Sequence, residues 1–496
     1  MNHKFLLGLG LFSLSLISSI AHAQSGLRIP VGAPQPAELA LVRAEQPIAG
    51  LPDNIQALIA ETKAPTANLS VYVRDLSADK PLVVHNVSVP RNPASTMKLL
   101  TTWAGLKLLG PNWTWKTQVW IRGQVQDGVL LGDLILKGYG DPFLTDESFW
   151  QLLHDLRLKG LREIHGNLIV DNSYFDLSNQ PATNFDDEPT KIYNALPSAL
   201  MFNFQGTRFL FEADDFNKRV NIIPFPQNPR LNIENNVSYV SGGCQKVHYL
   251  PKFVITQNNA KVSGSYSSGC GKNFIMRLAS ASPEEHVFNA FRDVWQSQGG
   301  TLTGGLKTGV VQAGDVLVHT LESRTLGEQI RFINKYSNNV MARELLLSIG
   351  GKIGGEPATT SKGAQAVLQL LADEGINTTG LVIDNGAGLS RNERVSALQL
   401  GELLETAWRD PYMPEFMASM PLLGEDGTLA HRFKQDDMKG RSHLKTGTLK
   451  DVTAIAGYML TRSGKRMVIV IQHNGAEASG SGRLIQDAIL RWVFEQ

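Results

Sequence analysis

Three short motifs follow one another along the 496-residue chain: Ser95-Thr96-Met97-Lys98, Ser337-Asn338-Asn339 and Lys445-Thr446-Gly447. Their residue types are the parts of an acyl-transfer site. A serine hydroxyl can attack a carbonyl carbon, and an amine one helical turn away can take its proton. A second serine can relay a proton to the leaving group, with Asn339 holding the amine. Lys445, Thr446 and Gly447 offer a cation, a hydroxyl and open backbone to an anionic substrate. Lys98 can serve as a base only if its pKa falls below the ordinary lysine value of about 10.4. Burial and a nearby cation, for which Lys445 is the candidate, would do that.

Each motif alone is weak. The S-x-x-K pattern recurs at Ser77-Ala78-Asp79-Lys80 and Ser442-His443-Leu444-Lys445, Lys-Thr-Gly recurs at Lys307-Thr308-Gly309, and S-x-N recurs at Ser390-Arg391-Asn392. Order and local pattern separate them. Ser95 follows Pro93 and opens TMKLLTTWAGLKLL, whose apolar residues recur at helical spacing, so Ser95 is expected at a helix start with Lys98 on the same face. Ser77 sits instead in a polar turn between LSVYVRDL and PLVVHNV. Ser337 lies between two helical patterns, TLGEQIRFINKY and VMARELLLSI, where a loop can aim both polar side chains inward. Lys445 leads into a strand pattern, TAIAGYML, and a second, RMVIVIQ, across a Ser463-Gly464 turn. Lys307 stands in a glycine-rich, hairpin-like stretch ahead of the S-x-N motif.

The first residues read as an export signal: Lys4, an apolar run from Phe5 to Ile20, and a small-x-small site at Ala21-His22-Ala23. Sixteen positions with several serines fall short of the roughly 20 apolar residues that a membrane span needs. Cleavage after Ala23 would leave 473 residues, enough for two or three domains. No later stretch approaches a span. The balance of 47 basic against 46 acidic residues gives a net charge of +1, which argues against a nucleic-acid footprint or a basic membrane patch. Two cysteines, Cys244 and Cys270, stand in glycine-rich turns; in an exported chain they are expected to form one disulfide. No cysteine or histidine spacing suits a metal, and no cofactor is expected.

Ser337 stands 239 residues after Lys98, far more than a small helical lobe needs. Short alternating runs fill the interval, so it reads as inserted β-rich structure rather than a loop. The motif-bearing domain is then discontinuous, about residues 24–110 and 318–496. The insertion, about 111–317, reads as two nested units, about 111–137 with 216–317, and 138–215. The outer domain should be α/β. Its antiparallel strands are expected within Leu69–Val87 and Ala454–Gln472, and its helices at Thr96–Leu109, Thr325–Lys335, Val340–Ile349, Lys362–Glu374 and Ala397–Arg409.

With Lys137–Thr145 (KGYGDPFLT), Asp171–Phe175 (DNSYF), Asn385–Ser396 (NGAGLSRNERVS) and Pro421–Phe433 (PLLGEDGTLAHRF), the three motifs extend a likeness over nearly all of the mature chain. The sequence resembles the D-alanyl-D-alanine carboxypeptidase/endopeptidases of the penicillin-binding protein 4 type, peptidase family S13. The resemblance implies a serine β-lactamase/penicillin-binding-protein-like transpeptidase domain, an antiparallel sheet with helices, carrying inserted β-rich domains. It implies periplasmic hydrolysis of peptidoglycan stem peptides and cross-links, in a protein soluble or loosely membrane-associated, with β-lactams as acylating inhibitors and a homodimer left open. By resemblance, the backbone N–H groups of Ser95 and Thr448 form the oxyanion hole. Thr446 and Thr448 bind the substrate carboxylate, and Asp171, Phe175 and Arg391 line the approach. Two positions depart from the family pattern: Asn338, where such proteins often carry Asp, and Lys450, on the substrate side. A β-lactamase shares the motifs but would need a compact chain and a dedicated deacylating base. An inactive cell-wall scaffold would have no need of the intact motifs.

Overall fold

The computed structural model describes residues 50–178, 185–245, 251–256 and 258–496. The segment read as an export signal, 1–23, lies outside them. The two ends of the described chain share one sheet. Its five strands run in the order Ser442–Leu449, Val452–Leu460, Arg466–Asn474, Leu69–Asp75, Val83–His85. The stitch between N- and C-terminal parts is antiparallel, from Leu69 opposite His473 to Asp75 opposite Met467. Val452 to Met459 are buried without alternation, the pattern of a strand covered on both faces. Ala456, Tyr458, Val468 and Val470 face a helical layer containing Met97–Leu109, Leu326–Lys335 and Ala397–Arg409. Ile455, Met459, Ile469 and Ile471 face helices Asp53–Thr62 and Ser481–Phe494. Each such side chain contributes about 1.5–3 kcal/mol when fully buried, so the sheet is a rigid base for whatever stands at its edge.

The helix Met97–Leu109 is buried around its whole circumference from Met97 to Leu106. It is therefore a core helix rather than a half-exposed one. Gly105 lets it approach the helix Asn339–Gly354, since a Cβ there would lie 3.1 Å from Leu345. This close packing fixes the first and second motifs relative to each other.

Between them, a seven-stranded sheet uses strands from Lys116–Gln126 to Leu168–Asp171 and from Thr301–Leu302 to Val316–Glu322. Helices Asp146–Leu158 and Pro283–Ser297 cover it. Two three-stranded sheets, built from Thr207 to Arg277, enclose Phe209, Phe211 and Tyr266. The nesting expected from sequence is different: 138–215 does not form the inner unit. Leu168–Asp171 pairs with both Val129–Gly138 and Leu306–Thr308, so it belongs to the larger sheet, and the set-apart unit is 207–277. Alternation marks a strand and its buried face but not its partner, which long-range pairing decides. Val316–Glu322 pairs with Lys116–Ile121, so the insertion runs past residue 317. Cys244 and Cys270 form the expected disulfide, with Cα atoms 4.6 Å apart, beside the paired ends Gly243 and Gly269.

The insertion also braces the helix Asn339–Gly354. Ser198 N–H donates to Glu344 Oε1 at 2.8 Å, Arg343 donates to Ala195 O at 3.0 Å, and Trp115 Nε1 donates to Ser348 Oγ at 2.7 Å. Among the described residues, no helix is long and apolar enough to cross a membrane, and no group of metal-ligating side chains gathers.

Candidate active site

Ser95 sits in a 3₁₀ turn, Ala94–Thr96, that runs directly into the helix Met97–Leu109. Asn92 sets the turn by accepting from Ala94 N–H at 2.9 Å and donating to Ser390 O at 2.8 Å. Ala94 holds a φ of 45°. Two glycines make room for it. At Gly388 (φ +80°) a Cβ would fall 1.9 Å from Ala94 O, and at Gly447 it would fall 2.6 Å from Pro93 O and 3.0 Å from Ser95 N. The third motif thus lies directly against the nucleophile turn because its last residue has no side chain.

Lys98, one turn along, is fully buried. Its Nζ lies 3.0 Å from Ser95 Oγ, donates to Asn339 Oδ1 at 2.5 Å and donates to the Ala387 carbonyl. Two of its three directions end on carbonyl oxygens, which can only accept. When the amine is neutral, its lone pair is left for the third direction, the Ser95 hydroxyl. Burial first, then the nearby Lys445 charge, hold Lys98 well below the ordinary lysine range, against an opposing pull from Glu393.

Ser337 adopts a φ of 56° in the tight connection between Leu326–Lys335 and Asn339–Gly354. A non-glycine residue pays about 1–3 kcal/mol for that backbone, a cost that functional sites commonly carry. The result puts its Oγ 2.9 Å from Lys445 Nζ, which also donates to Thr446 O at 2.7 Å. Asn338 caps the following helix, accepting from Met341 N–H at 3.1 Å. Asp would cap equally well, so this departure from the family pattern leaves the loop intact. Lys450 is exposed at the turn beyond the strand.

Ser442–Leu449 is the outer strand of its sheet. Leu444 N–H donates outward to Pro421 O and Ser442 O accepts from Leu423 N–H, each at 3.0 Å. Strand alternation carries that outward direction to Thr446 and Thr448, on the stretch of edge that faces the Ser95 turn. The Thr448 N–H is thereby turned away from the paired strand Val452–Leu460. Burial brings Lys445 down to about 7. A bound carboxylate would restore its charge; the Lys98 amine bonds two carbonyl oxygens and the Ser95 hydroxyl, with Glu393 as the opposing charge. Burial lowers both neighbouring lysines, and Lys98 is lowered further by the charge of Lys445.

A cavity of about 260 Å³ opens on this set, walled by Ser95, Ser337, Thr428, Thr446 and Thr448, with Arg432, Arg483 and Gln486 among its other residues. Asp171 and Phe175 are not part of that wall. Asp171 is fully buried in the inserted sheet, where its oxygens accept from Ser173 N–H at 2.9 Å and Val311 N–H at 2.8 Å. Phe175 packs with Tyr174, Leu347 and Ala358. Arg391 pairs with Asp186 at 2.7 Å and lies over the Phe185 ring, 4.7 Å from its centroid. Phe185 packs on the cluster of Ala94, Leu449 and Val452, so Arg391 stands just outside the nucleophile turn.

Residues that sequence reasoning did not single out are Thr428, 2.8 Å from Thr446 Oγ1, Ala387, Glu393, Arg432 and Arg483. The segments holding Ala387, Glu393, Thr428 and Arg432 stood out as blocks. Gly427, whose Cβ would lie 2.4 Å from Lys335 O, is a readable sign that the Thr428 loop packs closely on something. Arg483 had no signal, because its place depends on how the last helix docks.

Residues 51–496 match the D-Ala-D-Ala carboxypeptidase 3 (S13) family. A D-alanyl-D-alanine carboxypeptidase of an Actinomadura species is 28% identical over 466 residues, which cover 88% of this chain and 83% of that protein. The D-alanyl-D-alanine carboxypeptidase DacB of Haemophilus influenzae is 25% identical over 417 residues, 82% of this chain and 86% of that one. The crystal structure of penicillin binding protein 4 from Haemophilus influenzae covers 89% of this chain and all (100%) of its own, with a TM-score of 0.72 at 22% identity, and so has the same fold. The family match takes in both halves of the split sheet, the insertion and all three motifs, and the chain belongs to the D-Ala-D-Ala carboxypeptidase 3 (S13) family.

Proposed function

We propose that the protein is an exported, periplasmic serine peptidase that trims the terminal D-Ala from peptidoglycan stem peptides and cuts peptide cross-links by the same chemistry. The observation that carries this reading is the buried Lys98, held by two carbonyl acceptors with its remaining direction on Ser95 Oγ at 3.0 Å. Ser95 Oγ attacks the carbonyl carbon of the penultimate D-Ala while its proton passes to neutral Lys98. The oxyanion forms against the N–H groups of Ser95 and Thr448, where losing one donor costs about 3–4 kcal/mol. The Ser337 hydroxyl gives its proton to the leaving amine as the C–N bond breaks, and regains one from the Lys98 ammonium. The product is an ester on Ser95 and a free amine. Water then attacks the ester with Lys98 again as base, and Ser95 recovers its proton. Lys445 with Thr446 and Thr448 receives the carboxylate of the leaving residue. In a cross-link the leaving amine belongs to another stem peptide, so only the far side of the cavity has to admit more bulk.

Penicillin presents a strained amide to the same serine. Mass spectrometry after incubation with benzylpenicillin should find an adduct on the peptide containing Ser95, and none in Ser95→Ala. Chromatography of a stem pentapeptide and of a cross-linked dimer would then show release of D-Ala and separation of the dimer. An unlabelled wild-type protein that leaves nitrocefin intact would favour an inactive scaffold, and rapid nitrocefin turnover a β-lactamase.

A further inference from the structure

The Ala387 carbonyl that holds Lys98 belongs to a tight turn, Asn385–Ala387, whose own support is unusual. Thr101 Oγ1 donates to Gly386 O at 2.7 Å, which ties the turn to the nucleophile helix. Asn385 Oδ1 accepts from Ala387 N–H at 2.9 Å. From behind, Glu393 Oε1 accepts from Asn385 N–H at 3.1 Å and from Gly386 N–H at 2.9 Å. Glu393 is fully buried, and its Oε2 is without a hydrogen-bond partner. A buried carboxylate with one bare oxygen is expensive to keep, and surface loops do not need one. The charged groups around it come from three directions: Lys98 from the nucleophile helix, Arg343 from the helix Asn339–Gly354, and Asp384 from its own loop. Lys445 stands beyond Lys98.

We propose that Glu393 is a positioning residue for the general base: it clamps the turn that presents the Ala387 carbonyl to Lys98, and it is the buried anion that faces the lysine. The inference rests on the reading of Lys98 as base. Burial pushes the Glu393 carboxyl up to about 7, while the two backbone N–H donors and Lys98 pull it back. The lysine and the carboxyl therefore titrate as a coupled pair. An anionic Glu393 favours the ammonium form of Lys98, so its removal favours the neutral amine.

Glu393→Gln keeps the shape and the acceptor for both N–H groups but removes the charge. The acylation rate of Ser95 by benzylpenicillin, followed from about pH 5 to about pH 10, should lose its acid limb at lower pH by about one unit. The thermal midpoint should stay near that of the wild type. Glu393→Ala shares that shift and also loses the clamp, so its plateau acylation rate above the acid limb should fall by about tenfold or more, with initial penicillin affinity held. A wild-type profile in Glu393→Gln, with Glu393→Ala differing only in thermal midpoint, would overturn the assignment and leave a purely structural carboxylate. Failure of the unsubstituted protein to acylate at Ser95 would instead remove the reading on which the inference stands.

Discussion

The chain contains Lys-Thr-Gly twice, and the two copies have little in common beyond their letters. Lys445 is fully buried on the outer strand of the five-stranded sheet, 2.9 Å from Ser337 Oγ. Lys307 lies in the inserted sheet with its side chain 57% exposed, 4.0 Å from Asp133. Thr446 meets Thr428 across the cavity at 2.8 Å, whereas Thr308 is exposed. A Cβ at Gly447 would strike the backbone of the nucleophile turn; at Gly309 it would find the Ile169 side chain at 3.1 Å. The motif supplies the groups in both places. Chemistry arises only where covering helices remove water and a second strand edge, turn and loop converge on them.

The contrast breaks if the two lysines prove interchangeable. Lys445→Ala should slow labelling of Ser95 by a fluorescent penicillin about 10²–10³-fold, the usual size of a lost preorganised charge partner. Lys307→Ala should leave it within about twofold, as for an ordinary surface change. Comparable losses in time courses of the two variants would mean that the exposed copy takes part in function. The glycines sharpen the same contrast at smaller scale. Gly447→Ala forces the strand off Pro93 O and Ser95 N, and a displacement near 1 Å at reacting groups costs about 10²-fold. Gly309→Ala asks only a side chain to shift, so its labelling rate should match the wild type.

How far these differences could be read from sequence depends on how local their causes are. The helix start at Pro93–Ser95, the loop at Ser337 and the strand at Lys445 rest on short-range patterns, and the structure has each of them. The helix Ala397–Arg409 has the expected ends, because Ser396 and Gln399 form a capping box that the chain spells out. The partners of the inserted strands were not legible, since Leu168–Asp171 gives no sign of whether it pairs forward or back. Glu393 reads as one charge in the polar stretch Arg391–Arg394, a solvated loop by pattern. Only packing reveals that its side chain turns inward behind Lys98. Asp171 makes the opposite case: a family-like segment drew attention to a carboxylate that the fold holds inside the inserted sheet, between two backbone N–H groups and Lys137.

The smallest expected effect separates the two lysines without any substrate. Lys445 is held near 7 in the folded protein by burial, against about 10.4 in an unfolded chain. Between those values the unfolded state holds a proton that the native state lacks, so stability rises with pH, by at most about 1.4 kcal/mol per pH unit. Below about 7 both states carry the proton, and the cost of burying the ammonium is borne in full. Lys445→Met should remove this slope and raise the urea midpoint most at the acid end of the window. Lys307→Met should leave the slope due to Lys445 in place, because it does not touch the buried lysine. Lys98 adds a slope of the same sign to both variants and so cannot create a difference between them. If the two methionine variants showed the same pH dependence of the urea midpoint, burial would not be what distinguishes one Lys-Thr-Gly from the other.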